Sequence, residues 1–433
     1  MSLTVIGLLV LFFTALGAGI WIFMALVGVA AVGMLVETNV PIFRLIANQL
    51  FNSTTSPELL ALPLFILMAE ILFRTRVSEA LFSGVAPWTI RIPGQLLHVN
   101  VLACTLFSAV CGSSAATTAT VGKITLSELQ TRGYSKQLSM GSLAGAGTLG
   151  FLIPPSLIMI IYGVLSETSI IALFIAGIIP GLLLAAMLMG TLALMAIGSP
   201  MPKIDERTIR PKGWMLNSIK QIGPVLLLIL VIVGAMYAGF ASPTEAAVVG
   251  VFGALAISAY QRCFTLAGLA EAGLAAARTS SMLGLLLAAG AFLSVVMGYL
   301  GIPQAVASWI GGLGLEPMML IAVLLLALIV LGCFLDGTSM LIMTLPITIP
   351  LIVAAGFDKV WFGIFLVLAI ELAQITPPVG FNLFVIQGLT GEPITKIALY
   401  AVPFFLVIVG LTVLVTFFPQ IVLFLPDLAS GAK

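Results

Sequence analysis

The chain has 433 residues, of which 61% are hydrophobic and only 8% are charged, with a formal net charge of +1. A soluble domain carries about 25% charged residues, so this composition excludes a water-soluble protein, and the missing basic excess excludes a nucleic-acid-binding one. Four cysteines without a CxxC pair and a single histidine, His98, argue against a zinc site, a thiol relay and a Ser-His-Asp triad. These observations leave an integral membrane protein that transports rather than catalyses.

Long, continuous apolar runs predict membrane-spanning helices rather than strands. The start of the chain lacks a basic region and an obvious cleavage site, so we expect its first apolar run to be a retained span. In chain order, helices are predicted at 3–16, 19–36, 57–75, 136–165, 168–197, 217–240, 244–261, 280–300, 358–388 and 396–425. Matched interfacial helices are predicted at 40–54 and 264–279.

Two apolar segments, 96–131 and 317–355, are each too long for one crossing and carry small polar residues at their centres. Lys and Arg mark the cytoplasmic side of a membrane, and this scheme places thirteen of the seventeen basic residues there, Lys203 among them, with Lys433 outside. Basic residues on that side flank the first segment, which predicts a re-entrant hairpin with its tip inside the membrane. The predicted fold is an all-α polytopic membrane protein with about ten spans, two re-entrant hairpins and both termini outside.

The chain also carries a weak internal repeat. Gly133-Tyr134-Ser135-Lys136 resembles Gly356-Phe357-Asp358-Lys359, and the Pro-Pro pairs at 154–155 and 377–378 are likewise 223 residues apart. A short amphipathic stretch precedes each hairpin, at 77–81 and 302–306. The first hairpin is predicted to enter from inside and the second from outside, so the repeat is inverted. Inverted repeats with helices broken near the midplane are typical of secondary transporters.

The Pro-Pro pairs predict two breaks, because proline lacks an N–H group and disfavours the helical conformation in the residue before it. We expect unwound backbone around 147–155 and 374–378, with freed carbonyls that line a protein or aqueous cavity. Carbonyls and Ser/Thr hydroxyls suit a hard monovalent cation such as sodium. The helix N-termini at the hairpin tips, at Ser113-Ser114 and Thr338-Ser339, suit a carboxylate.

Each of these assignments has a structural alternative. Gly and Ser in membrane helices more often serve close packing than ligand binding, and a proline kink alone is usually structural. Asp336 and Glu371 are candidates for function, since intramembrane acids are usually functional, but each also has the simpler role of capping or bracing a broken helix. Glu70 is expected to be structural or interfacial, and His98 to be an interfacial residue at the mouth of the first hairpin.

Eight motifs follow one another in a specific order over essentially the whole chain. They are Gly112-Ser113-Ser114-Ala115-Ala116-Thr117, Gly133-Tyr134-Ser135, Gly147-Thr148-Leu149-Gly150, Ile153-Pro154-Pro155-Ser156, Pro180-Gly181, Ser242-Pro243-Thr244-Glu245-Ala246, Gly301-Ile302-Pro303 and Thr376-Pro377-Pro378-Val379-Gly380. In this order they resemble the large membrane subunit (M subunit) of tripartite ATP-independent periplasmic, or TRAP, transporters.

The resemblance implies an elevator-type ion transporter in the bacterial inner membrane, in which a transport domain slides against a fixed scaffold. It implies import driven by a sodium gradient, a soluble periplasmic protein that delivers the substrate, and a small four-helix membrane subunit (Q subunit), expected here as a separate chain. The expected scaffold segments are 1–75, 167–300 and 391–433, and the expected transport segments are 76–166 and 301–390.

The sodium sites implied by the resemblance map onto the first tip with 147–154 and the second tip with 374–377. The sodium candidates are Ser113, Ser114, Gly147, Thr148, Pro154, Asp336, Gly337, Thr338, Gln374 and Thr376. The substrate candidates are Ser113, Ser114, Thr338, Ser339, Pro155 and Pro378.

The predicted function is sodium-coupled import of a small organic acid, a carboxylate, without enzymatic activity. One alternative is a self-sufficient di- or tricarboxylate carrier of the same superfamily, which needs no binding protein. An intramembrane hydrolase is disfavoured because acid–base catalysis needs a base within reach, and His98 lies on the wrong side of a helical break for Ser113 or Ser114. Paired broken helices also disfavour a channel.

Overall fold

The computed structural model describes residues 3–37, 41–198, 200–202, 206–302, 304–305, 308, 316–378 and 380–430. Within these ranges the regular structure is helical throughout and contains no strand. Some residues that entered the sequence predictions lie outside the described ranges, namely Lys203, Pro303, Val306, Val379 and Lys433.

The helices follow the predicted order. In the first half they are α1 (Leu3–Gly17), α2 (Ile22–Glu37), α3 (Ile42–Thr54), α4 (Ala61–Phe73), α5 (Val77–Thr89), α6 (His98–Cys111), α7 (Ser114–Thr131), α8 (Lys136–Leu152), α9 (Leu157–Ser166) and α10 (Ile170–Ile197). In the second half they are α11 (Glu206–Ile209), α12 (Trp214–Tyr237), α13 (Pro243–Tyr260), α14 (Leu266–Tyr299), α15 (Pro317–Gly332), α16 (Gly337–Ala354), α17 (Lys359–Gln374), α18 (Phe381–Thr390), α19 (Ile394–Phe417) and α20 (Gln420–Ser430).

Among the described residues, seven helices are long and apolar enough to cross a membrane. The number rises to eight if the bent pair Ile42–Asn52 and Pro57–Phe73 is one span. The chain is therefore an all-α protein with several candidate spans, and the ten spans expected from the sequence stay a prediction.

Proline determines where two of the long apolar helices end. α8 ends before Pro154, and Ile153 takes the extended conformation that a following proline favours (φ −84°, ψ 122°). α19 ends in the same way, because Phe418 precedes Pro419 and leaves the helical region (φ −125°, ψ 73°). The single helix predicted over 396–425 is therefore wrong, since α19 and α20 are separate helices.

A boundary predicted in the second half is absent. The interfacial helix predicted over 264–279 and the span predicted over 280–300 form one continuous helix of 34 residues, α14. It contains no proline and is rich in alanine and leucine, which are strong helix formers. The equivalent part of the first half bends by 55° between Ile42–Asn52 and Pro57–Phe73, where Pro57 interrupts the helix.

The sequence repeat reappears in the helix boundaries. α7 begins at Ser114 and α16 at Gly337, whereas α8 begins at Lys136 and α17 at Lys359, so both pairs are 223 residues apart. Each half contains, in order, a pair of helices joined by a short turn, a helix broken at Pro-Pro, and a long helix. The opposite orientation of the two halves in the membrane stays a prediction.

The two broken helices occupy the centre of the molecule. Every residue from Leu138 to Leu152 of α8 and from Trp361 to Gln374 of α17 is buried. In contrast, α12 buries few residues and exposes large apolar side chains such as Leu227 and Leu230. The protein therefore surrounds α8 and α17 with helices whose outer surfaces suit lipid.

Polar contacts connect segments that the basic-residue rule places on the cytoplasmic side. Lys136 Nζ lies 2.7 Å from Glu392 Oε1, and Arg91 lies 3.0 Å from Glu206. The backbone N–H of Arg76 donates to Gln261 Oε1 (2.9 Å). Each contact joins two stretches predicted to be on the same side, so these stretches lie together in the fold, and the side of the membrane that they face stays a prediction.

Candidate functional site

The first hairpin turns within two residues, Gly112 and Ser113. α6 ends at Cys111, Gly112 takes a left-handed conformation (φ +62°), and α7 begins at Ser114. A Cβ atom at Gly112 would lie 2.9 Å from the carbonyl oxygen of Pro155. Glycine is therefore required here both by the backbone conformation and by the close approach of the first Pro-Pro break.

The tip of the first hairpin packs directly against the first broken helix. The N–H of Leu157 donates to the Gly112 carbonyl (3.2 Å). A Cβ atom at Gly150 would lie 2.6 Å from the carbonyl oxygen of Ser113, and one at Gly147 would lie 1.9 Å from Thr118 Oγ1. The glycines of α8 thus allow the hairpin backbone to approach closely, and the first tip and the first break meet.

The unwound stretch is shorter than the sequence predicted. α8 is helical through Leu152, so Gly147 and Thr148 lie within a helix, and the expected unwinding from residue 147 is wrong. Thr148 Oγ1 donates to the Gly145 carbonyl (2.8 Å), so this hydroxyl already has a partner. A proline disturbs only the turn that precedes it, and the break is therefore confined to residues 153–156.

One hydroxyl group in the first break lacks a partner. Ser156 Oγ, at the end of the break, is buried without a hydrogen bond to any described residue. Buried polar groups are normally paired, so this oxygen is available to a bound ion or ligand. Sequence reasoning missed Ser156, although its position directly after the Pro-Pro pair was a usable signal.

At the second hairpin, Asp336 is the N-cap of α16. Its carboxylate accepts hydrogen bonds from the N–H groups of Thr338 (3.1 Å) and Ser339 (3.3 Å), and from the Ser339 hydroxyl. Such a cap stabilises the first helical turn and orients the two hydroxyl side chains that follow it. The sequence left two roles open for Asp336, a functional one and the capping of a broken helix. The structure shows the capping contact.

The tip of the second hairpin meets the second break. A Cβ atom at Gly337 would lie 2.6 Å from Ile370 Cγ2 and 3.3 Å from Gln374 Nε2, both on α17. α17 ends at Gln374 and α18 begins at Phe381, in agreement with the break predicted over 374–378. Each half therefore repeats the same junction of a hairpin tip with a Pro-Pro break.

The two breaks differ in their surroundings. The Pro154–Pro155 pair is buried, whereas the Pro377–Pro378 pair is exposed. Thr376 Oγ1 donates to the Leu372 carbonyl (2.6 Å) and is only half-buried. The first junction is thus enclosed by protein, and the second is accessible.

The second tip opens onto a large cavity. Asp336, Thr338 and Ser339 line a volume of 1020 Å³ that is open to the protein surface. Its other lining residues are mostly apolar and come from the α1–α2 turn, such as Trp21, and from α14, such as Leu286. This volume is sufficient for a small organic ligand. No pattern in the sequence connected the N-terminal turn with the second hairpin.

Asn382 connects the two halves of the molecule. Ser114 Oγ donates to Asn382 Oδ1 (3.1 Å), and Asn382 Nδ2 donates to Ser114 Oγ (2.8 Å), with both side chains fully buried. The Cβ position of Gly337 also lies 3.1 Å from Phe151 Cε2 at the end of α8. The two junctions therefore adjoin each other. Sequence reasoning missed Asn382, whose signal was an amide within an apolar segment.

The remaining candidates have distinct surroundings. Glu371 is buried in α17, and neither carboxylate oxygen has a hydrogen-bond partner among the described residues. Glu70 forms an ion pair with Arg74 (2.6 Å), as a structural residue would.

His98 is buried, with Nε2 2.7 Å from the Pro93 carbonyl. It is the first residue of the 14-residue helix α6, which ends at the tip of the first hairpin. This helix is about 20 Å long, so no imidazole base reaches the tip hydroxyls.

The donor atoms at the junctions suit a hard cation. Among the described residues, no group of three or more His, Cys, Asp or Glu side chains lies close enough to hold a metal ion. A cation at either junction would therefore be held mainly by backbone carbonyl and side-chain hydroxyl oxygens, which hard cations prefer.

The chain matches the family described as tripartite ATP-independent periplasmic transporter, DctM component, over residues 6–421. It is 34% identical over 385 residues to the C4-dicarboxylate TRAP transporter large permease protein DctM of Pseudomonas aeruginosa, covering 89% of this chain and 90% of that protein. It is 30% identical over 405 residues to the sialic acid TRAP transporter large permease protein SiaM of Vibrio cholerae, with 93% of each covered. The solved structure of the Alcanivorax borkumensis YdaH transporter shares the fold, with a TM-score of 0.63 at 15% identity over 92% of this chain and 97% of that one. The chain therefore belongs to the DctM family, the large membrane subunit of TRAP transporters.

Proposed function

We propose that the chain imports a small organic acid together with sodium, as a permease and not an enzyme, in the bacterial inner membrane. The observation that carries this proposal is the meeting of each hairpin tip with the Pro-Pro break of its own half. Each junction brings together the backbone of a break, Ser or Thr hydroxyl groups and the N-terminus of a helix. Broken helices at a repeat interface are where secondary transporters bind substrate and coupling ions.

The sodium sites are proposed at the two junctions. The first combines Ser113 and Ser114 with the carbonyls around Pro154, and the unpartnered hydroxyl of Ser156 supports it. The second combines the start of α16, at Gly337 and Thr338, with the end of α17, at Gln374 and Thr376. At this second junction Asp336 caps the first turn of α16 and thereby orients Thr338. Gly147 and Thr148 are less suited to bind, because they lie within a helix.

The substrate is proposed to bind between the two tips as a carboxylate. Both α7 and α16 begin at these tips, and a helix N-terminus favours an anion through its free N–H groups and its dipole. Ser114, Thr338 and Ser339 add hydroxyl groups, and the Pro155 and Pro378 breaks bound the space. The names of two relatives support this class, since C4-dicarboxylates and sialic acid are organic acids.

The moving part of the proposed elevator includes α10 and α19 in addition to the hairpins and broken helices. Sequence reasoning placed these two helices in scaffold segments. Their contacts favour the transport domain, because a Cβ atom at Gly145 of α8 would lie 2.6 Å from Phe404 Cβ of α19. Similarly, a Cβ atom at Gly177 of α10 would lie 2.7 Å from the Leu152 carbonyl. Helices packed this closely move as one body.

A reconstituted transport assay tests the proposed function. The chain, together with a separate small membrane subunit, is placed in proteoliposomes with a periplasmic binding protein and a radiolabelled C4-dicarboxylate or sialic acid outside. We expect uptake only with an inward sodium gradient and with the binding protein present. Uptake without the binding protein would favour the stand-alone carrier, and equal uptake in potassium alone would contradict sodium coupling.

A further inference from the structure

A second cavity lies away from the hairpin tips, between α5 and α12. It has a volume of 240 Å³, and its lining includes Arg132 at the end of the first hairpin and Asn217, Ser218 and Gln221 of α12. The two helices pack tightly beside it, since a Cβ atom at Gly84 would lie 2.6 Å from Ile222 Cγ1. The cavity is therefore a fixed feature of a close helix contact.

Two polar atoms in this lining have no hydrogen-bond partner among the described residues, namely Ser218 Oγ and Gln221 Oε1. Ser218 is 2% exposed, so solvent at the protein surface does not satisfy its hydroxyl. Buried polar groups are normally paired. A ligand that carries both acceptors and hydroxyl donors would pair both atoms.

The surroundings of the cavity are basic. Arg132 shares its guanidinium with Glu128, with Nε 3.2 Å from Oε2, and keeps further N–H donors free for a ligand. Next to the cavity, Arg210 donates to the Pro87 carbonyl (2.7 Å) and pairs with Glu206 (3.1 Å). The sequence adds more basic residues on the same predicted cytoplasmic side, at Arg91, Arg207 and Lys212.

We propose that this cavity binds the phosphoglycerol headgroup of an anionic phospholipid in the cytoplasmic leaflet. Arg132, Asn217 and Ser218 would donate to the phosphate oxygens, and the glycerol hydroxyls would donate to Gln221 Oε1. Basic pockets between membrane helices on the cytoplasmic side suit anionic headgroups. The volume accommodates a headgroup, and the acyl chains would lie along the exposed apolar side chains of α12, such as Ile219.

Aromatic residues mark the same level as a membrane interface. Trp88 and Trp214 pack edge to face with ring centroids 5.2 Å apart, and the Arg210 guanidinium lies 4.9 Å from the Trp214 ring. Tryptophan is enriched at the headgroup level of membranes. A lipid in this cavity would bridge the exit of the first hairpin and the α12 scaffold helix.

Native mass spectrometry after delipidation tests the proposal. The membrane complex is first equilibrated in nanodiscs that contain phosphatidylcholine and phosphatidylglycerol. We expect wild type to retain phosphatidylglycerol selectively, and Arg132→Gln to lower that retention about fivefold. Lys220→Gln removes the same charge from an exposed position of α12 that does not line the cavity, so we expect it to retain phosphatidylglycerol like wild type.

Several outcomes would overturn the proposal. Equal loss in Arg132→Gln and Lys220→Gln would show a general charge effect, and equal retention of phosphatidylcholine would show unspecific lipid binding. Thermal stabilisation of the delipidated complex by inorganic phosphate, without stabilisation by phosphatidylglycerol, would assign the cavity to a soluble phosphate compound. If Arg132→Gln does not fold, Asn217→Leu removes another proposed donor to the lipid phosphate, at an exposed position of α12. Unchanged retention of phosphatidylglycerol by Asn217→Leu would contradict the proposal.

Discussion

Ser114 and Asn382 are joined through one hydroxyl group that both donates to and accepts from the same amide, over distances of 3.1 and 2.8 Å. Ser114 begins the second helix of the first hairpin, and Asn382 follows the break of the second half. The first tip is thus fixed by the segment beyond the second break. A displacement at one junction should therefore disturb the other, and the sodium-coupled import proposed above needs such a connection between the two junctions.

We expect Asn382→Leu to lower the free energy of unfolding by about 1–3 kcal/mol, because the Ser114 hydroxyl stays buried without its partner. Ser114→Ala should have a similar effect. The double variant should lose less than the sum of the two, since both changes remove the same pair. Thermal unfolding of all four proteins in detergent measures this coupling, with Gln387→Leu on the same helix as a control, and strictly additive losses would contradict it.

The packing around Gly150 of α8 and Gly190 of α10 predicts opposite effects for two Gly→Ala substitutions. At Gly150 the added Cβ atom would lie 2.6 Å from the backbone of Ser113 and Ser114, which form a tight turn and have little room to shift. We expect Gly150→Ala to abolish uptake and lower stability. At Gly190 of α10 no atom lies within 4 Å, and alanine there should raise stability by about 0.5–1 kcal/mol. Uptake and thermal unfolding of both variants are the measurements, and active Gly150→Ala would disprove the tight junction.

The tip hydroxyls test the proposed sites directly. We expect Ser113→Leu and Thr338→Leu to abolish sodium-dependent uptake, because a bulky apolar group replaces a proposed oxygen donor at each junction. Thr338→Ser keeps the hydroxyl and should keep uptake. Uptake in proteoliposomes is compared with membrane insertion, which should be unchanged in all three. Normal uptake by the leucine variants would remove these residues from the site.

The cap of α16 leads to a different expectation for Asp336. Asparagine caps helices about as well as aspartate does, whereas alanine loses about 1 kcal/mol. If Asp336 acts by capping, Asp336→Asn should transport and unfold like wild type, and Asp336→Ala should unfold earlier. Sodium-dependent uptake decides between the roles, since loss of uptake in a stable Asp336→Asn protein would assign the charge itself to ion binding.

The hairpins and breaks were predictable because their causes are local. The segments 96–131 and 317–355 were expected to be paired helices, and the structure has them at 98–131 and 317–354. A Pro-Pro pair breaks a helix wherever it occurs, so both breaks were expected. The start of the first break was placed too early, because a proline disturbs only the turn that precedes it. Close packing against the hairpin keeps Gly147 helical.

What sequence reasoning missed depends on contacts between distant segments. The bond between Ser114 and Asn382 spans 268 residues, and no spacing rule connects them. The cavity at the second tip includes the α1–α2 turn, more than 300 residues earlier. The proposal that α10 and α19 belong to the moving part likewise rests on how closely Gly145 and Gly177 are packed, which is a tertiary property. Local chemistry thus identified the parts, and only the packing shows which parts touch.

The predicted inverted orientation of the repeat leads to a labelling test with an internal control. Thr131 and Ala354 are the last residues of α7 and α16, are 223 residues apart, and are both exposed. In a cysteine-free background, the native cysteines being Cys104, Cys111, Cys263 and Cys333, we expect Thr131→Cys to react with a membrane-impermeant maleimide only from the cytoplasm. Basic residues mark the cytoplasmic ends of the first hairpin, and the second hairpin is predicted to enter from the opposite face. Ala354→Cys, at the end of the second hairpin, should therefore react only from outside. Labelling of both cysteines from the same side would show that the two hairpins enter from one face, and the repeat would then not be inverted.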